Sequence, residues 1–222
     1  MKSLERTCAP VTALVPIKAR NRCKTRLATH LLPEQRVALV RSMLQHVVDC
    51  LEQTPSIERL VVLSPERDQL PAHIDVRADE GWDLNSSLQR AIRHLWQQPC
   101  TTGPHAKSVG RRILILPADL ACLQVSDVQA LIEASTRAQL VIAPSSDQSG
   151  TNALVLPSTT EFPLWFGVNS FYNHVQQAKR LALSHAVVQT GGLGFDVDTR
   201  TELDWYRSSA IPAQLDREKE CV

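Results

Sequence analysis

Short apolar runs alternate along this chain with stretches in which apolar residues recur every three or four positions. The runs are VTALVPI (11–17), RLVVLS (59–64), RRILILPAD (111–119), QLVIAP (139–144), NALVLP (152–157) and HAVVQT (185–190). Several are apolar without interruption, as strands covered on both faces are. Between them, Val37, Val40, Met43, Leu44, Val47, Val48 and Leu51 follow Pro33 at helical spacing, and proline suits a first helical turn. Leu84, Leu88, Ala91, Ile92 and Leu95 predict a second helix over 84–96. Ser126 with Gln129 resembles a capping box for a third, which carries Val128, Leu131 and Ile132. Ser170 is placed to cap a fourth that carries Val175, Ala178, Leu181 and Ala182. Thr199 with Glu202 reads as the start of a last helix, with Asp198 as the competing cap.

Strands alternating with helices predict an α/β sandwich around a mostly parallel sheet. The later strands follow each other more closely, so antiparallel pairing is expected in the second half. The segment 97–112 reads as a surface loop. The whole of 1–222 reads as one domain, with its core over about 11–207 and a flexible tail over 208–222.

Composition narrows the functional classes. A formal net charge of +1 leaves no broad basic field for a polynucleotide, so no nucleic-acid partner is expected. No apolar stretch approaches a membrane span, and the first twenty residues hold no apolar core of signal-peptide length, which predicts a cytoplasmic protein. The six cysteines form no C-x-x-C pair and read as reduced thiols. Neither a P-loop, a G-x-G-x-x-G nor a G-x-S-x-G is present, and the seven histidines show no ligand spacing, so none of them is assigned a role.

In an open parallel sheet, ligands collect beyond the carboxyl ends of the strands. The first run is followed there by Lys18, Arg20, Arg22, Lys24 and Arg26. ILILPA is followed by Asp119, and the last run by Asp196 and Asp198. Cations and carboxylates on one sheet edge suit phosphoryl chemistry, because magnesium takes one or two carboxylates together with phosphate and water. Each feature has a plainer reading: a turn residue at Asp119, a helix cap at Asp198, a solvated face for the basic run. SSDQSGTN (145–152) and FGVNSF (166–171) add small hydroxyls, two glycines and a helix start, equally good as turns or as anion contacts.

Taken in order, LVPIKARNRCKTRL, LNSSL, LILPADL, SGTNALVL, FGVNSFYNHVQQA and GLGFDVDTRTELD resemble the CofC/FbiD guanylyltransferase family, within the MobA-like nucleotidyltransferases. The resemblance spans roughly 11–205. It implies a Rossmann-like three-layer α/β/α fold of the nucleotide-diphospho-sugar transferase kind. It further implies GTP-dependent guanylylation of 2-phospho-L-lactate, phosphoenolpyruvate or 3-phospho-D-glycerate, with release of pyrophosphate, in coenzyme F-420 biosynthesis.

Carried over residue by residue, the resemblance implies that Asp119, Asp196 and Asp198 bind one or two Mg²⁺. Thr151, Gly167 and Ser170 would meet the acceptor's carboxylate. Lys18 and Lys24 would face the nucleotide phosphates, and Asn85 would lie near the nucleoside. The expected partners are small molecules, GTP and a three-carbon phospho-acid, with room for a homodimer and for contact with the downstream transferase of that pathway. Three features depart from the family pattern: Ala121 stands where a proline is usual, Asp83 where a glycine is usual, and the stretch before GTNAL, with Asp147 and Gln148, is shorter than usual. Other readings are a related nucleotidyltransferase or nucleotide-sugar glycosyltransferase with another acceptor, and a non-catalytic nucleotide binder.

Overall fold

Strand β1 (Val11–Pro16) pairs in parallel on both sides, with β2 (Ile57–Ser64) and with β4 (Arg112–Ile115). The structure, a computed structural model, describes residues 10–19, 24–66, 70, 72–79, 83–97, 111–157 and 161–208. Strands β3 (Asp75–Ala78), β5 (Leu140–Pro144), β6 (Thr151–Pro157) and β7 (His185–Val187) complete one sheet of order β3-β2-β1-β4-β6-β5-β7. Strand β6 runs antiparallel to both β4 and β5, which confirms the expected mixture in the second half. Most of the 97–112 loop and residues 209–222 of the expected tail lie outside the described residues.

Alternation along the strands sends side chains into two apolar layers. Val11, Ala13 and Val15 of β1, Leu114 of β4, Val141 of β5 and Val155 of β6 pack against helices α1 (Pro33–Glu52) and α3 (Val125–Ser135). Leu14, Ile113, Ile115, Ile142 and Leu154 face the other way, toward α2 (Leu84–Gln97) and α4 (Ser170–Arg180). The three-layer α/β/α sandwich follows from these two faces. A short helix α5 (Gly191–Gly194) and α6 (Arg200–Ser208) close the described chain. No helix among the described residues is long and apolar enough to cross a membrane.

Local chemistry sets the helix starts, and two differ from expectation. Helix α3 is boxed by Gln124 and Asp127, whose carboxylate accepts the Gln124 N–H at 2.8 Å, so Ser126 lies inside the helix. Helix α4 starts from Asn169, held in the left-handed region at φ 55°, which makes Ser170 its first residue rather than its cap. A short polar side chain tolerates that conformation better than most. Asp83, the departure from glycine, accepts the N–H groups of Asn85 and Ser86 and so caps α2. A hydrogen bond from the Ser86 side chain, together with these backbone bonds, holds its carboxyl below the usual aspartate range. Strand β3 escapes the hydrophobic pattern because it is four residues long, at the sheet's edge, with Val76 alone fully inward.

Candidate active site

The order of strands reverses between β1 and β4: the chain leaves β1 for β2 and β3, then returns to lay β4 on β1's other side. A crevice opens at such a switch point beyond the strands' carboxyl ends. The segment holding Lys18 and Lys24 leaves β1 there, and Asp119 follows β4. Because β6 is antiparallel, its first residue, Thr151, lies at this same edge, opposite Pro144 at the end of β5.

A small third cluster draws the remaining pieces in. Leu27 and Leu31, Met43 of α1, Ala121, Val197, and Leu203 and Tyr206 of α6 pack together. Leu27 ends the 3-10 turn that Lys24 starts, Ala121 lies two residues past Asp119, and Val197 separates Asp196 from Asp198. Burying these apolar neighbours therefore brings their charged companions together. The N–H of Ala121 donates to the carbonyl of Asp119 at 3.0 Å, a bond that a proline at this position could not make. Helix α5 is fixed by Asn152, which donates to Leu193 O at 2.9 Å, and by Ser146 N–H, which donates to Gly194 O at 3.1 Å.

At the centre stands Lys24. Its Nζ donates to Asp119 Oδ2 at 2.5 Å and to Asp198 Oδ1 at 2.8 Å, and its side chain is only 5% exposed. Burial alone would lower its pKa, but the two carboxylates outweigh it and hold the ammonium above its ordinary value. Lys24 sits at φ 45°, a left-handed conformation that costs a non-glycine residue on the order of 1–2 kcal/mol. The ion pairs hold the side chain against that strain. Arg26 adds a longer contact to Asp198 at 3.6 Å.

The two neighbouring aspartates are driven apart. Burial raises Asp196, and the charges of Asp119 and Asp198 push it further, to about 6. Asp198 loses to burial as well, but Lys24, with help from Arg26 and Lys18, holds it below the usual range. Lys18 is itself exposed. Asp198 is not the cap of α6: Thr199 and Glu202 bracket that helix, with Glu202 Oε2 accepting both the Thr199 and the Asp198 N–H at 2.6 and 2.7 Å. The Asp198 carboxylate is left for the site.

The sequence predicts these three aspartates gathered on a metal ion. Among the described residues no three carboxylate, histidine or cysteine side chains stand as a ready metal group. Asp119 and Asp198 share the Lys24 ammonium instead, and Asp196 stands close enough to feel both. The donor set still suits a hard divalent cation: three carboxylates within each other's fields, two of them already turned onto one cationic atom.

The other predicted residues form a second group on the same edge. Thr151 Oγ1 lies 2.9 Å from His174 Nδ1, and both are buried. Ser170, 1% exposed, is one helical turn before His174 on α4. Gly167 has φ 129°, a conformation that favours glycine. Asn85 grips the backbone of this loop: its Nδ2 donates to Phe166 O at 3.0 Å, and its Oδ1 accepts the Phe166 N–H at 2.7 Å. Sequence reasoning missed His174. The usable signal was its spacing of four from Ser170 in SFYNH, which sets both on one helix face.

An α/β/α sandwich with cations and carboxylates at its switch point suits nucleotidyl transfer. The fold agrees with a solved structure from Desulfovibrio desulfuricans G20 assigned to the nucleotide-diphospho-sugar transferases, with a TM-score of 0.69 at 18% identity and 96% of both chains covered. The family model "Guanylyl transferase CofC like" matches residues 11–205, and the chain belongs to that family. It is 34% identical over 199 residues to the phosphoenolpyruvate guanylyltransferase of Rubrobacter xylanophilus, covering 87% of this chain and 91% of that one. It is 31% identical over 204 residues to the 2-phospho-L-lactate guanylyltransferase of Methanothermobacter thermautotrophicus, covering 89% and 82%. The protein is a guanylyltransferase working on small molecules, with GTP as the guanylyl donor.

Proposed function

We propose that this guanylyltransferase moves GMP from GTP onto the phosphate of phosphoenolpyruvate, 2-phospho-L-lactate or 3-phospho-D-glycerate, as a cytoplasmic step toward coenzyme F-420. The observation that carries the reading is the meeting of Lys24 with Asp119 and Asp198 at the switch point, with Asp196 beside them. The relatives' acceptors support the choice of phospho-acids.

An acceptor phosphate oxygen attacks the α-phosphorus of GTP. The new P–O bond forms as the bond to the β-phosphate breaks, and pyrophosphate leaves with the electron pair. A phosphomonoester is largely dianionic at neutral pH, its second pKa being about 6, so the nucleophile needs no general base. The chain's task is positioning and charge neutralisation. Asp119, Asp196 and Asp198 would hold one or two Mg²⁺. When bound, such an ion supplies positive charge to the phosphates of both substrates. Lys18, exposed at the rim, and Lys24, fixed by its carboxylates, place further positive charge where pyrophosphate departs. Thr151, Gly167 and Ser170 receive the acceptor's carboxylate. Asn85 holds their loop in register as well as lying toward the nucleoside.

The test is GTP with each of the three phospho-acids, with product detected by mass. One acceptor giving its guanylylated diester supports the reading. GTP bound but unconsumed with all three rejects it.

A further inference from the structure

We infer that His174 is a positioning residue that fixes the polarity of the Thr151 hydroxyl, so that Thr151 presents a hydrogen-bond donor to the acceptor substrate. The inference rests on the proposed acceptor site at Thr151.

The backbone N–H of Trp165 lies 3.0 Å from His174 Nε2. A backbone amide only donates, so Nε2 must offer its lone pair and carries no proton. A neutral imidazole with a bare Nε2 carries its proton on Nδ1. That proton points at Thr151 Oγ1, 2.9 Å away. The Thr151 oxygen is therefore the acceptor in this pair, and its own O–H must seek a partner elsewhere.

The surroundings keep the ring in this form. His174 is fully buried, with Phe166 edge-on at 5.1 Å between ring centroids and Phe162 at 6.0 Å. Protonating the ring would place a second proton on Nε2, against the Trp165 amide. Burial accordingly lowers its pKa to about 4. Among the described residues, no acidic side chain is hydrogen-bonded to the ring to draw it toward the imidazolium.

One side chain thus ties three elements together. His174 belongs to α4, Thr151 begins β6, and Trp165 lies in the loop that Asn85 grips one residue later. A hydroxyl that accepts from the ring does not spend its own proton there, and that proton can be donated to an anionic oxygen. That is the polarity a carboxylate requires.

The test separates the two ring nitrogens. In His174→Asn the amide nitrogen stands near the Nδ1 position and can still donate to Thr151. In His174→Gln the amide oxygen stands near Nε2 and can still accept from Trp165, but the donor to Thr151 is gone. With whichever of the three phospho-acids is turned over, His174→Gln is expected to raise the acceptor KM about tenfold or more, the scale of a weakened bond to a charged group. The KM for GTP should stay within about twofold, and His174→Asn should keep most of the acceptor affinity. Added to Thr151→Val, His174→Gln should cost little more. Equal effects of the two histidine variants, or full additivity with Thr151→Val, would overturn the inference.

If Thr151→Val leaves the acceptor KM unchanged, Thr151 is no acceptor contact, and the inference falls with the reading beneath it. If Thr151→Val raises the KM and His174→Gln does not, the inference alone falls. Nitrogen-15 spectra of the wild-type imidazole need no variant: a proton on Nδ1 is expected, and one on Nε2 would overturn the assignment.

Discussion

Lys24 and Asp198 lie 174 residues apart in the chain, yet the ammonium of one stands 2.8 Å from the carboxylate of the other. The contact ties the loop after the first strand to the segment before the last helix. With Asp119 it forms the charged centre of the site, and this charge balance makes the first variant informative. Lys24→Met keeps the stem and removes the charge, leaving Asp119 and Asp198 facing each other. Denaturant unfolding should show a loss of ~1–3 kcal/mol, the scale of hydrogen bonds to charged groups, and turnover should fall as well. Unchanged stability would mean that the ion pairs do not hold the site together.

Asn85 offers a second measurement. Its amide makes two hydrogen bonds to the backbone of Phe166, next to the loop's Gly167. Asn85→Ala should raise the acceptor KM more than the GTP KM, because it releases the acceptor loop. The opposite split would place the residue's main contact at the nucleoside.

Gly192 sits in α5, four residues before Asp196. A Cβ there would collide with the carboxylate of Asp127 and come within 2.6 Å of the Cys122 carbonyl. Gly192→Ala must displace α5 or break the box that starts α3. A loss of ~1–3 kcal/mol is expected, the scale of overpacking a core, with reduced turnover. Thermal unfolding of the variant checks it, and a wild-type midpoint would contradict the close approach.

Stability should depend on acid through His174. The fold lowers its pKa from 6.5 to about 4 by burial, so the unfolded chain takes up a proton that the folded chain refuses. Stability is fully present above about 6.5 and falls as pH drops toward about 4. By the bottom of that window this group accounts for on the order of 3 kcal/mol, at 1.36 kcal/mol per pKa unit. Urea unfolding across the window, compared with His174→Phe, isolates the contribution. The variant should lose the part of the slope that His174 supplies, and identical slopes would contradict the burial argument.

Much of this molecule could be read from local pattern. The apolar spacing after Pro33 defines α1 almost residue for residue, and Thr199 with Glu202 marks α6 by the reciprocal bonds that such a pair makes. Where neighbouring signals compete, pattern fails. Ser126 and Gln129 look like a box, but Gln124 and Asp127 win because the Asp127 carboxylate reaches the Gln124 amide. Strand β3 is too short and too polar to announce itself.

The site was legible as a set of residues but not as an arrangement. Asp119, Asp196, Asp198 and Lys24 were each identifiable by their place behind a strand. That Lys24 would be clasped by two of those carboxylates depends on packing among Leu27, Ala121 and Val197, which no local window contains. For His174, spacing could give no more than the helix face it shares with Ser170; its role needs Thr151 and Trp165 at its two nitrogens.

The central claim is that this charged centre transfers GMP. Pyrophosphate release from GTP in the presence of the preferred phospho-acid, measured side by side for wild type and a folded Asp198→Asn, tests it most directly. The account predicts release strictly dependent on the acceptor and at least ~100-fold slower in the variant, the scale of losing one strong electrostatic contact in a transfer site. A folded variant that releases pyrophosphate at the wild-type rate would contradict it.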